Sequence, residues 1–557
     1  MQTMTDTKYP RHGEVGSISD NDDTAVTATE RFNFGRIFHG LRPFTIKVSS
    51  AEALGSAMTN DSGGDSNIPA GYTYLGQFID HDMTLDATGD NSKNADPGSA
   101  GSNVVTDAEL IQARSPSLDL DSLYGSTGDR KPERFLDGTG VKFIIGRTRI
   151  ITAPPHLTEG HSNKSLTFDL PRSSSLSSRD APTPKALIAD ARNDENLAVA
   201  QTHLAFMKFH NVVADITARD SSNLSPDDVF LATRELVTRH YQYIVLHDFV
   251  SKLILDKIYE SVIKQGNTKL FNLTAAEVPF MPLEFSVAAF RLGHSLVRDE
   301  YDWNLNFNET KKTPANFEHP LGISSGARLS LITFTTVGNP SKSGRLRAEK
   351  PLPSNWIIDW RRFYDFSGIT LPALGSAASV DMNVTKLIDP NLSSGLASVP
   401  RVGNLATANL LRGSRRSLPS GQDIAHAVGV QALSSQELKA NLPENSVLAI
   451  ENNEFDRKSP LWFYILQEAN LQAQGQSLGE VGSQIVAETF VNLIRTSRTS
   501  ILGADNAPSW NPSESPLRLN DGAPIDTMPR LLAFVDEHEP LINPLEDRRF
   551  GSPGSCS

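Results

Sequence analysis

Cysteine is nearly absent: the 557 residues contain one, Cys556, next to the C-terminal position. A single thiol leaves no intrachain disulfide, no thiolate metal site and no catalytic thiol in a core. Long apolar runs are missing too, since no stretch approaches the roughly 20 apolar residues that a membrane-spanning helix needs. The opening MQTMTDTKYPRHGEVGS has no apolar core and does not read as a secretory signal. A soluble protein is therefore expected, cytoplasmic by default, with release by an unconventional route as the alternative. Basic charge is also short: 52 Lys and Arg face 65 Asp and Glu, a net charge of −13. Nucleic acid, which is held by concentrated basic surface, is not expected as a partner.

What is present is a long chain of ordinary globular composition, able to bury a sizeable core. No repeat and no clear linker divides it. The expected organisation is a polar arm over 1–30, one large, mainly helical domain over 31–545 with little β structure, and a polar tail over 546–557. Residues 31–44, mixing aromatic and basic side chains, would pin the arm to the core. Pro226 followed by two aspartates starts a helix reaching about Ile254. Another begins near Arg192, with Asn193 or Asp194 as its cap, and carries an apolar stripe from Leu197 to Val212. Further helices are predicted over 286–297, twice within 404–430, over 460–473 and over 481–502. Residues 141–152 alternate enough to predict a short strand pair, and 356–366 read as an amphipathic packing segment. Residues 88–106, 173–185 and 310–355 read as loops.

With cysteine excluded, the thirteen histidines become the main candidates for metal or acid–base chemistry. The stretch GQFIDHD, 76–82, is read as the start of a buried helix running to 86. There Gln77 and His81 stand four apart on one face with Asp80 beside them. Asp82, about 100° further round, meets a different neighbour. Arg192 and Glu195 are three apart at a helix start, and His294 sits in the apolar run FRLGHSL. Asn409 and Arg412 share another helical face in NLLRGSR. Alone, His294 would be a satisfied core histidine. His203, His210, Glu235, His240 and His247 read as packing and polar satisfaction. The run RSPSLDLDSLYG, 114–125, alternates oxygen-bearing side chains, which suits either an Asx-rich turn or a hard cation.

Taken together and in this order, these motifs resemble the animal-type haem peroxidases of the peroxidase–cyclooxygenase superfamily, in a short, bacterial-like form, over about residues 70–500. The resemblance implies haem b and a calcium ion as cofactors, and a peroxidase that reduces hydrogen peroxide through a ferryl intermediate. Its donors would be halides, pseudohalides or small organic molecules. It makes His294 the ligand of the haem iron, Asn409 the acceptor for the other ring nitrogen, and Arg412 the partner of a haem propionate. His81 would be the acid–base group, Arg192 the electrostatic stabiliser, and Gln77 a hydrogen-bonding group for distal water or halide. Asp80 and Glu195 match the carboxylates that form ester links to haem in mammalian members. The sulfonium link of the family cannot form, because Asn196 stands where a methionine is required. Asp82, Ser115, Ser117 (through its carbonyl), Asp119 and Asp121 match the calcium ligands. The alternative within the superfamily, a fatty-acid dioxygenase, needs a radical-forming tyrosine three residues before the proximal histidine, where this chain has Arg291.

Overall fold

The computed structural model describes residues 32–550, apart from 61, 87–109, 126–135, 151–157, 173–185, 222, 272–278, 309–328, 331–350, 372–379, 400–401 and 504–505. The expected arm, the loops over 88–106 and 173–185, most of 310–355 and the last residues of the tail lie outside that set.

A short antiparallel pairing aims the GQFIDHD segment. Asp65–Pro69 pairs with Val384–Lys386, and the chain then turns directly into the helix Gly71–Met83. Its start is anchored by Ala70 N–H on Asn383 O and Gly71 N–H on Phe363 O. The helix therefore begins five residues before Gly76, where sequence spacing had put it. Position 71 has to be glycine, because a Cβ there would lie 2.4 Å from the Tyr364 ring. The end comes at Thr84, which is extended. Along its length this helix packs on Leu197–Asp220, and Phe78 stacks on Phe206 with ring centroids 4.8 Å apart.

Leu197–Asp220 is capped by Asn196, whose side chain accepts from Val199 N–H, and not by Asn193 or Asp194. Those two residues lie in a separate 3-10 turn, Ala191–Asp194, which Asp190 caps. Their side chains are drawn to other partners, described below. The helix Pro226–Ile244 continues into a π-helical stretch, Val245–Val250, so its full run matches the predicted one. The helix Glu480–Arg495 stops seven residues short of the predicted end. There the Thr496 and Ser497 hydroxyls bond the carbonyls of Asn492 and Leu493, competing with the backbone for the last turn.

Two other expectations change. Residues 141–150 form no strand pair: Phe143, Gly146 and Arg149 each bridge a different segment, at Leu136, Asp169 and Pro353. Asn211 takes both the N–H and the C=O of Phe143, the two groups a ladder would have used. Residues 284–294 are helical but not α. A π turn, Glu284–Ala288, gives way to a 3-10 turn, Ala289–His294, at the irregular Ala288 (φ −130°, ψ −71°). With three residues per turn, Arg291 and His294 come onto one face.

The predicted helix–loop–helix over 404–430 is Leu405–Arg415 and Gly421–Val428, and 460–473 is Leu461–Ala473. Residues 356–366 form 3-10 turns around buried Trp356, Trp360 and Phe363. Near the start of the described chain, Asn33–Gly35 lies parallel to Phe280–Pro282. Among the described residues the architecture is mainly helical with small two-stranded sheets. Buried apolar side chains form one connected cluster from Phe34 to Leu545. No described helix is long and apolar enough to cross a membrane.

Candidate active site

His81 is completely buried, and its Nδ1 lies 2.8 Å from Asn193 Oδ1. An oxygen can only accept, so the imidazole carries its proton on Nδ1 and leaves Nε2 as the basic nitrogen. Burial, followed by the nearby Arg192 cation, pushes the imidazole down to about 4. It is neutral in the physiological range and able to take a proton.

Arg192 is held from behind. Its Nε and Nη2 lie on Asp190, at 3.0 and 2.7 Å, and Nη2 also donates to the carbonyl of His81 at 2.8 Å. Asp190 binds Arg114 as well, and Arg114 Nε reaches the same His81 carbonyl at 3.3 Å. Burial alone would raise the Asp190 carboxyl, but the two guanidiniums hold it well below the usual range. Asp190 and Arg114 therefore fix both members of the His81–Arg192 pair. No motif pointed to this role, because it depends on partners 76 positions apart in the chain.

Gln77 has its amide committed on both sides. Nε2 donates to Glu195 at 2.7 Å, and Oε1 accepts from Asn196 at 2.8 Å. Asp80 Oδ1 accepts from Thr84. These carboxylates, 80 and 195, thus belong to the two elements that carry His81 and Arg192.

On the other side, His294 is buried in the Ala289–His294 turn, which packs against both Gly71–Met83 and Leu461–Ala473. Its Nδ1 lies 2.6 Å from the Asn409 amide, with Nδ2 as the facing atom. The ligand role needs the amide turned, so that Oδ1 accepts from Nδ1–H; the turn exchanges two atoms and moves nothing else. Arg412 donates to Asp86 at 2.9 Å, and Arg416 shares that carboxylate at 2.9 Å.

Arg291, one 3-10 turn before His294, was not singled out as a binding residue. It lies near Arg412, Asp80, Asp86 and Arg192, and burial followed by Arg412 pushes its guanidinium down to about 9. Its Nε and Nη1 are buried without a hydrogen-bond partner. An anionic group held by Arg291 and Arg412, where the helix of His81 packs on the turn of His294, fits these features. The residues present are thus compatible with haem and its propionates.

The oxygen-rich loop closes below His81. Asp82 accepts from the backbone of Leu120 and Ser122 and from the Tyr241 hydroxyl. Burial and then Asp121 push its carboxyl up to about 8, and the same two causes raise Asp119. Ser115 donates to Asp121 and Ser117 to Asp119. Asp121 Oδ1 is buried with no hydrogen-bond partner. Among the described residues, no three His, Cys, Asp or Glu side chains converge as a metal cage. The donors are instead a spread of carboxylates and hydroxyls, and the loop is closed by its own hydrogen bonds.

The remaining histidines divide. His210 lies between the Tyr124 hydroxyl and the Val141 carbonyl, and His240 between the Ile525 carbonyl and Ser515, both satisfied in the core. Glu235 meets Arg239 at the surface, and His247 meets the Tyr259 hydroxyl. His203 faces Asn193.

Solved structures with this architecture define the fold class. Peroxidase A from Dictyostelium discoideum aligns at a TM-score of 0.52 and 16% identity, over 90% of this chain and 96% of its own. The fatty acid alpha-dioxygenase of Oryza sativa aligns at 0.53 and 13% identity, over 92% of this chain and 82% of its own. The class is a mainly helical fold with small sheets. The family model for animal haem peroxidases matches residues 92–499, and the chain belongs to that family. The matched span opens after the segment carrying Gln77 and His81. Among curated relatives, Caenorhabditis elegans peroxidasin homolog pxn-2 is 28% identical over 136 residues, 24% of this chain and 10% of its own length. Peroxidase mlt-7 of the same animal is 24% identical over 248 residues, 41% of this chain and 32% of its own. Canis lupus familiaris thyroid peroxidase is 29% identical over 119 residues, 21% and 12%. The matches span from about a tenth to a third of these relatives' lengths.

Proposed function

We propose that the protein is a haem peroxidase that reduces hydrogen peroxide and oxidises a halide, a pseudohalide or a small organic donor. The observation that carries this reading is the pairing of a buried, neutral His81 with Arg192 on one side, and His294 on an asparagine on the other. His294 would hold the iron through Nε2, and Arg412 and Arg291 would hold the propionates. When bound, haem supplies the iron at which the peroxide bond is cleaved. His81 Nε2 takes the proton from one peroxide oxygen and returns it to the departing one. Arg192, anchored by Asp190, offers positive charge to that oxygen without having to reorganise. Gln77, clamped by Glu195 and Asn196, keeps its remaining N–H for distal water or a halide.

Ester attachment through Asp80 and Glu195 is part of the proposal, supported by their position on the two elements that carry His81 and Arg192. With Asn196 in place of the methionine, bromide, iodide and thiocyanate are expected as donors ahead of chloride. A fatty-acid dioxygenase shares the fold, but Arg291 occupies the position where that reaction needs its tyrosine. The test is the visible spectrum of purified protein before and after stoichiometric peroxide. One high-spin ferric haem per chain, changing within the mixing time, is expected. Full haem loading with no response to peroxide would end the peroxidase reading. Haem that stays with the chain in acidified solvent only after peroxide cycling would add the esters.

Calcium belongs to the same proposal, at Asp82, Ser115, the Ser117 carbonyl, Asp119 and Asp121. Its support is the all-oxygen donor set, including the buried Asp121 Oδ1. Chelation of the purified protein, or Asp82→Ala, should lower thermal stability and distort the haem spectrum, because a bound ion stabilises only the folded state. Unchanged metal content and full activity in Asp82→Ala would leave the loop as a turn.

A further inference from the structure

Two hydrogen bonds meet on one buried amide. His81 Nδ1 lies 2.8 Å from Asn193 Oδ1, and Asn193 Nδ2 lies 2.9 Å from His203 Nδ1. None of the three residues is more than 1% exposed. An amide oxygen only accepts and an amide nitrogen only donates, so the orientation of Asn193 sets the proton on both rings. As the amide stands, His81 carries its proton on Nδ1 and His203 does not. Turned over, the amide would require His81 to accept at Nδ1, which puts the proton on Nε2 and leaves no base for peroxide.

The surroundings hold the Asn193 backbone and the His203 ring in place. Asn193 sits in the Ala191–Asp194 turn, where its N–H bonds the carbonyl of Asp190. The His203 ring is set edge-on against Phe78, centroids 5.8 Å apart, and Phe78 is in turn stacked on Phe206. Burial keeps His203 neutral by pushing it down to about 3, so its Nδ1 remains an acceptor. What those contacts leave open is rotation of the amide about its own bond, and the acceptor at its far end decides it.

We propose that His203 is a positioning residue for the peroxide reaction: by accepting from Asn193 Nδ2, it locks the amide that holds the proton of His81 on Nδ1. The proposal rests on the peroxidase reading above. It gives a role in the reaction to a histidine that the sequence assigned to packing.

The experiment uses haem-loaded wild type, His203→Gln, His203→Leu and His203→Phe. Two rates are measured at one pH: the reaction with peroxide and the association of cyanide. Cyanide arrives as the protonated acid, so its binding needs the same base without any turnover. His203→Leu and His203→Phe should slow both by about tenfold or more, within the 10²–10⁴-fold carried by the base itself. His203→Gln, whose Oε1 can accept from the same Nδ2, should stay within about threefold of wild type by keeping that acceptor. In an Asn193→Asp background either carboxylate oxygen can accept from His81, so adding His203→Leu should cost nothing. A merely structural role would give additive losses there. His203→Phe keeps a ring against Phe78 and carries the test if His203→Leu does not load haem. Wild-type rates in the Leu and Phe variants at full haem content, or a His203→Gln as slow as they are, would overturn the proposal. A wild type that ignores both peroxide and cyanide would instead sink the peroxidase reading.

Discussion

His81→Ala is expected to slow the reaction with peroxide by about 10²–10⁴-fold, the usual contribution of a positioned acid–base group. The loss should be confined to that step. The His81 ring bonds Asn193, which belongs to the Ala191–Asp194 turn. The Arg192 and Arg114 contacts run to the His81 backbone carbonyl, which alanine retains. Haem content and resting spectrum should therefore stay close to wild type, and stopped-flow mixing with peroxide would isolate the effect. Equal rates in variant and wild type would remove His81 from the proton path.

The second large effect is expected from His294→Ala, which should leave the protein with little haem or with altered iron coordination. Asn409 fixes the ring from behind at 2.6 Å, and Arg291 lies one 3-10 turn before it. Removing the imidazole side chain empties the space that the ring filled. Added imidazole should enter it and restore part of the wild-type spectrum. An alanine variant with unchanged haem content and an unchanged spectrum, before any imidazole is added, would show that another residue is the ligand.

The residues legible in the sequence were those whose chemistry requires a fixed local spacing. Gln77 and His81 are one helical turn apart, and Asn409 and Arg412 share a face, so periodicity alone was enough to pair them. The motif order also carried the family and the mainly helical class. Asp190, Asn193 and His203 were not legible as a group, because His81 and Asn193 are 112 positions apart. Arg291 was noticed only as the absence of a tyrosine; that its Nε and Nη1 lack partners is a fact of packing. The 141–150 segment failed as a strand pair for a similar reason. Alternation marks a half-buried extended chain, but the choice between a hairpin and scattered bridges was made by Asn211, 68 positions away.

Asp86 has a consequence for how the protein is made. It follows the helix of His81 and is joined to Arg412 and Arg416, which lie 326 and 330 positions further along the chain. The residues that handle the proton come from the part of the chain up to His203, and those that would hold the iron come from residues after 290. Contacts of such separation carry the largest loop-closure cost and form slowly. Cofactor capture should therefore be a late event in biosynthesis, open only once the chain has been synthesised past Arg416. Until that moment, the buried carboxylate of Asp86 and the guanidiniums it joins would have to remain in water.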